Sequence, residues 1–400
     1  MKSYNNLDEL LYDEHGLEED FRRTSNGRKK RPQVLEVRRD LEKHKAILRD
    51  QLMHNTFTRE IHSHERINEG SRRKTRDIQK PAYLYEQPAH HALIRVIKPA
   101  IMESMYLISC SSIEGRGAHY GKRFIEKWIR TDPKNCKYVL KFDIRHFFES
   151  VSHRRLKKML KKKIRDKEIL KKLFTVIDSC DKGIPIGYYT SQWFGNMYLT
   201  PLDHFIKERL HAKHYIRYAD DCVIFGRNKK ELHTMRREIS IYLKEELGIR
   251  MKKNWQVFRF SYNNRAGKEC GRPLDFMGFK FYRNRTTIRK SILKRIRKKA
   301  NQIKRKGKVT WKDAASMLSR MGYITHSDTC GYYERYIKPF VKIKALKKLV
   351  SKHKRRENEK WSISKEKAHR RKGRKNWTPQ AAAIQSTSEG TSARKRRKKA

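Results

Sequence analysis

His214-Tyr215-Ile216-Arg217-Tyr218-Ala219-Asp220-Asp221-Cys222-Val223-Ile224-Phe225-Gly226 decides the fold of this chain. β-Branched and aromatic residues flank Ala219-Asp220 on both sides, which predicts two strands joined by a tight acidic turn. Aspartate tolerates such a turn because its side chain can bond the local backbone. Further toward the N-terminus, Tyr138-Val139-Leu140-Lys141-Phe142-Asp143-Ile144 reads as a buried strand ending in a carboxylate. On the other side, Leu232, Met235, Ile239, Leu243 and Leu247 recur at helical spacing, and Gly248 stands in the usual C′ place. A strand over residues 255–260 and a hairpin-like apolar run over 273–282 follow. Strands interleaved with helices predict an α+β fold.

Between the two acidic elements, Leu156, Leu160, Ile164, Ile169, Leu173 and Ile177 predict one long amphipathic helix with a lysine-rich solvated face. Apolar spacing also predicts a helix from Leu35 to about Met53 and another opening at Gln87. Residues 1–34 are polar and end in Arg28-Lys29-Lys30-Arg31, so they read as a flexible N-terminal extension. Residues 35–135 form a basic subdomain, 136–285 the central one, and 286–350 a helical one. From residue 351 to 400 apolar residues almost vanish, which predicts a disordered basic tail.

Lysine and arginine number 99 against 43 acidic residues, a formal charge of +56, so the folded chain needs a polyanion to screen it. Charge alone also suits a ribosomal or histone-like protein. It specifies phosphate and not chemistry. The six cysteines are scattered without a C-x-x-C pair, which argues against a zinc ribbon and a secreted disulfide framework. No signal peptide is evident and no apolar run approaches the ~18 residues of a membrane span, so the expected location is cytoplasmic with no membrane partner.

The chemistry is carried by Asp143, Asp220 and Asp221. Nucleotidyl transfer needs little covalent help, but it needs metals that activate the attacking hydroxyl and neutralise the leaving pyrophosphate. A carboxylate at one strand end and a pair on a neighbouring turn can converge on such metals. Magnesium, a hard cation that binds a few carboxylates plus substrate phosphates, fits them. Taken one at a time, each acidic feature is also a common solubility device.

Together these segments resemble reverse transcriptases. The run of residues 142–151, Phe-Asp-Ile-Arg-His-Phe-Phe-Glu-Ser-Val, is similar to the motif A strand, Tyr218-Ala219-Asp220-Asp221 to the Y-x-D-D box, and Asp275-Phe276-Met277-Gly278-Phe279 to the primer-grip hairpin. The resemblance spans roughly residues 74–344. It implies a right-hand polymerase fold with fingers, an antiparallel-sheet palm and a helical thumb. It further implies two Mg²⁺ ions, replaceable by Mn²⁺, at Asp143, Ile144, Asp220 and Asp221, and a primer grip at Phe276, Met277 and Gly278. Template RNA, a cDNA or primer strand and dNTPs are the implied partners.

At residues 186–192 most reverse transcriptases carry Q-G-x-x-x-S-P, whereas this chain carries I-G-x-x-x-S-Q. That form resembles the error-prone enzymes of diversity-generating retroelements, which work with a structured template RNA and a small basic accessory protein. An apolar Ile186 in place of the amide would loosen alignment of the incoming nucleotide, and fidelity rests on differential transition-state binding; the alternative is that Ile186 merely packs in the palm. By the same resemblance, Gly187 and Gln192 border the nucleotide, Phe148 is the steric gate under the sugar, and Arg76 and Arg116 clamp the triphosphate. Lys252 matches a motif D lysine that protonates pyrophosphate. Met321-Gly322-Tyr323-Ile324-Thr325-His326-Ser327-Asp328 resembles the thumb of group II intron-type enzymes. Open alternatives are a group II intron-derived, retron-like or phage-defence reverse transcriptase, and a non-catalytic RNA-binding scaffold.

Overall fold

Four helices open the chain: α1 (Asp8–Leu11), α2 (Glu14–Ser25), α3 (Pro32–Arg39) and α4 (Leu41–His54). In the computed structural model, which describes residues 4–58, 63–69, 74–356 and 359, they are packed rather than flexible. Leu7, Leu11, Leu17, Phe21 and Val34 are buried in the main core. The expectation of a loose extension over residues 1–34 is thereby corrected. Its apolar residues are spread over three short helices, so no single helical period marks them.

Strands β1 (Ser63–Glu69) and β2 (Lys74–Lys80) form an antiparallel hairpin, and α5 (Glu86–Met102) follows as the central core helix on which α2 packs. Next come α6 (Ala118–Thr131), β3 (Tyr138–Asp143), α7 (Phe147–Ser150), α8 (His153–Lys163) and α9 (Lys167–Asp178). The single amphipathic helix expected after Asp143 is therefore two. The chain turns extended at Ile164, and Asp166 restarts the helix by accepting from Ile169 N–H at 3.0 Å.

Helix α10 (Tyr189–His204) runs into a π-helical turn, Phe205–Arg209, and leads to β4 (His214–Tyr218), β5 (Asp221–Gly226), α11 (Lys229–Glu245) and β6 (Gln256–Arg259). The sheet order is β4-β5-β3-β6, antiparallel throughout, with Asp143 opposite Asp221 and Tyr218 also opposite Asp221. A two-stranded ribbon, β7 (Tyr262–Asn263) and β8 (Glu269–Cys270), precedes a second sheet of β9 (Leu274–Phe276), β10 (Phe279–Phe281) and β11 (Thr286–Ile288). Alternate residues Leu274, Phe276, Phe279 and Phe281 are buried in it, as the period of two requires.

The remainder is helical in pieces and not throughout: α12 (Lys290–Arg305), α13 (Trp311–Thr325), α14 (Cys330–Tyr336) and residues 343–356. The chain divides into two units, Met1–Arg295 with Tyr323–Tyr332, and Ile296–Gly322 with Tyr333–Ala400. Within the second, Thr310 and Asp313 cap α13 reciprocally, and Asp313 pairs with Lys299 at 2.8 Å and Lys306 at 3.1 Å. Of the tail expected to be disordered, residues 357, 358 and 360–400 lie outside the described residues. Among the described residues no helix is long and apolar enough to cross a membrane.

Candidate active site

The register of β3 against β5 brings the carboxylates together. Asp143 ends one strand and Asp221 begins the next, directly opposite, while Asp220 stands in the turn between β4 and β5. Ala219 takes a left-handed conformation with φ 55°, which lets the turn close in two residues. Ile144 continues past β3 into a bridge with Met251, and Lys252 N–H donates to Asp143 O at 2.8 Å. That pairing sets the Lys252 ammonium on Asp143 Oδ2.

Electrostatics mark the cluster. Asp220 is pushed well above the usual carboxylate range, first by burial and then by the neighbouring Asp143 charge. Burial also raises Asp221; Lys141, Lys252 and Arg289 pull it back while Asp143 pushes it further up. Asp143 Oδ1 is buried with no hydrogen-bond donor. Crowded carboxylates with an unserved oxygen are the donor set a hard divalent cation takes. Among the described residues, however, no three His, Cys, Asp or Glu side chains form a closed metal-binding group, and the positive charge on Asp143 is the Lys252 ammonium. Magnesium is commonly held by one or two carboxylates plus substrate phosphates, so the residues present fit it without a preformed cage.

Two cationic residues near this cluster were not legible in the sequence. Lys141 Nζ donates to Asp275 O at 2.8 Å, which ties β3 to β9, and Arg289 pairs with Asp275 at 2.6 Å. The β9–β10 turn is Met277-Gly278, with φ of 51° and 88°. Phe276 and Met277 are buried, Met277 against Gly121 and Phe276 in the second core cluster.

The other expected site residues fall around a second turn. Phe147 is buried, whereas Phe148 is half-buried and its carbonyl accepts from Ile184 N–H at 2.8 Å. Ile186 is also half-buried and outside the core, and its carbonyl accepts from Gln79 N–H at 2.9 Å. Gly187 has φ 121°, and a Cβ there would stand 2.3 Å from Gln79 O. Gln192 Oε1 accepts from Ser112 Oγ at 2.8 Å, on the loop that carries Arg116, and Arg116 itself donates to Tyr106 O at 3.3 Å. Arg76 lies on β2 opposite Ile67; its side chain is outside the described residues.

A four-stranded antiparallel sheet that presents carboxylates at a strand end and on an adjacent turn is the palm of a right-hand polymerase. Residues 89–281 match the family described as reverse transcriptase (RNA-dependent DNA polymerase). That stretch indicates a reverse transcriptase domain, the domain of RNA-directed DNA polymerases, which are nucleotidyltransferases. No curated protein matches the sequence. Among solved structures, apo telomerase from Candida tropicalis is similar at 14% identity and a TM-score of 0.42, covering 56% of this chain and 46% of that one. Telomerase from Candida albicans in complex with a TWJ fragment of telomeric RNA is similar at 12% identity and a TM-score of 0.42, covering 69% and 56%. The chain spans about half the length of these proteins.

Proposed function

We propose that this chain synthesises DNA on an RNA template, with Asp143, Asp220 and Asp221 holding two Mg²⁺ ions, as the error-prone enzyme of a diversity-generating retroelement. The observation that carries the chemistry is the meeting of two distant stretches of chain, Asp143 opposite Asp221 with Asp220 beside them. When bound, the metals would activate the primer hydroxyl and neutralise charge on the departing pyrophosphate. Lys252, already at Asp143, supplies the proton for that pyrophosphate. Phe148, less buried than Phe147, provides the face that excludes a ribose 2′-hydroxyl.

The lineage rests on Ile186-Gly187. With its backbone fixed to Gln79 and its side chain outside the core, Ile186 offers the nucleotide an apolar surface where an amide would align it. Template RNA, primer and dNTPs are then its ligands, with a small basic protein as accessory. Primer extension on RNA with dNTPs and Mg²⁺ tests the chemistry: Asp143→Asn and Asp220→Asn are expected to abolish it, and full activity of both variants would refute the site. Sequencing of the cDNA tests the lineage. Ile186→Gln is expected to lower misincorporation opposite adenine, and an unchanged error spectrum would reject that reading.

A further inference from the structure

Beneath the turn between β4 and β5 lies a buried polar network centred on Arg217 and Asp203. Arg217 and Asp203 are both fully buried, one on β4 and the other on α10. The guanidinium Nε and Nη2 donate to the two Asp203 oxygens at 2.8 and 2.6 Å. Its Nη1 donates to Asn196 Oδ1 at 3.1 Å and to the carbonyl of Ala219 at 3.1 Å. Tyr215 Oη completes Asp203 at 2.8 Å, and Asn196 Nδ2 is spent on Ser111 O at 2.9 Å.

A buried ion pair is weak evidence for stability, because apolar residues of similar volume often serve as well. This one has a direction. Its last donor reaches Ala219, the non-glycine residue held at φ 55° immediately before Asp220. Left-handed backbone at such a residue persists where surrounding structure over-determines it. The planar fork of arginine can hold a carboxylate on one side and a carbonyl on the other, which a lysine cannot. Asp203 also neutralises the guanidinium, so the fork steadies the turn without adding an unpaired cation beneath the acidic cluster.

We infer that Arg217, locked by Asp203 and Asn196, is a positioning residue that fixes the Ala219-Asp220 turn in the conformation needed for divalent-cation binding. The inference rests on the proposed metal site and names the device that orients it. The probe is Mn²⁺ binding to the full chain by electron paramagnetic resonance, alongside the Mg²⁺ concentration for half-maximal primer extension. Residues that orient metal ligands typically change affinity or activity by roughly ten- to a hundredfold. Arg217→Lys is expected to weaken Mn²⁺ by that range and raise the Mg²⁺ requirement in parallel. Asn196→Ala, which frees one end of the fork, should do the same to a smaller extent, and it decides the matter if Arg217→Lys does not fold. Asp20→Asn breaks a pair with Arg95 far away in the sequence and serves as the control. It should lower thermal stability and leave Mn²⁺ affinity unmoved. If Asp220→Asn loses Mn²⁺ while folded Arg217→Lys and Asn196→Ala bind it like the wild type, the positioning role is overturned and the metal site stands. If Asp220→Asn itself binds like the wild type, the metal site falls and this inference with it.

Discussion

Replacing Gly187 by alanine probes the turn that carries Ile186, where this chain departs from most reverse transcriptases. The new methyl would stand 2.3 Å from Gln79 O and 2.8 Å from Ile78 Cγ2, and the residue's φ of 121° is one that side chains rarely adopt. The nearer obstacle, Gln79 O, belongs to the β2 backbone, and Ile78 Cγ2 is a branch fixed directly to a β-carbon and no flexible side-chain tip. Strained backbone of this kind costs about 1–3 kcal/mol. Relieving it means parting β2 from the turn and losing the 2.9 Å bond from Gln79 N–H to Ile186 O. A hydrogen bond contributes about 1 kcal/mol net. The expected loss is therefore about 2–4 kcal/mol in urea denaturation. KM for dNTPs should rise in primer extension, because Ile186 and Gly187 move together. Gly331→Ala is the contrast: it meets nothing within 4 Å, sits in α14, and should gain up to about 1 kcal/mol. A Gly187→Ala protein within about 0.5 kcal/mol of wild type, the range of neutral surface changes, with unchanged KM would refute the reasoning.

Lys252→Met should slow single-turnover nucleotide addition by roughly a hundredfold, the low end for loss of a general acid, while leaving RNA binding intact; quench-flow with radiolabelled primer measures it. Phe148→Ala should admit ribonucleotides, read as extension with rNTPs alone, and continued exclusion would remove it as the gate. His91 stacks on Tyr189 with centroids 3.9 Å apart and is pushed down to about 4 by burial, with Arg23 and Arg28 adding to the effect. Its folded pKa lies below the unfolded value, so folding should lose roughly 1–3 kcal/mol as pH falls from about 6.5 to 4. Denaturation midpoints across that window should drop less steeply in His91→Phe.

The palm was legible in the sequence because its causes are local. β4 and β5 are runs of β-branched and aromatic residues around a turn that aspartate favours, and the β9–β10 hairpin alternates buried residues at period two. The Asp143–Asp221 pairing needed one further step, that β3 and β5 be neighbours. What stayed hidden depends on partners far away in sequence. Nothing local distinguishes Arg217 from the many other basic residues; its importance lies in Asp203 and Asn196 on a different element. The role of Gly187 likewise depends on the close approach of β2.

Asp166 accounts for two of the departures from the sequence reading at once. One carboxylate oxygen caps α9, which breaks the expected long helix. The other accepts from the backbone N–H groups of Leu7 at 2.8 Å and Asp8 at 3.2 Å, and Tyr4 pairs with Lys163 and Arg165 through its own backbone. Besides its buried apolar side chains, the N-terminal segment is thus held by main-chain groups, which leave no trace in side-chain pattern, at the very place where helical periodicity slips. Had α8 and α9 been continuous, Asp166 would lie inside a helix and α1 would keep unpaired donors. The helix break and the docked N-terminus are therefore one structural event. Through Leu7, Leu11 and Leu17 that event extends the core that includes α5 and the helices flanking the four-stranded sheet.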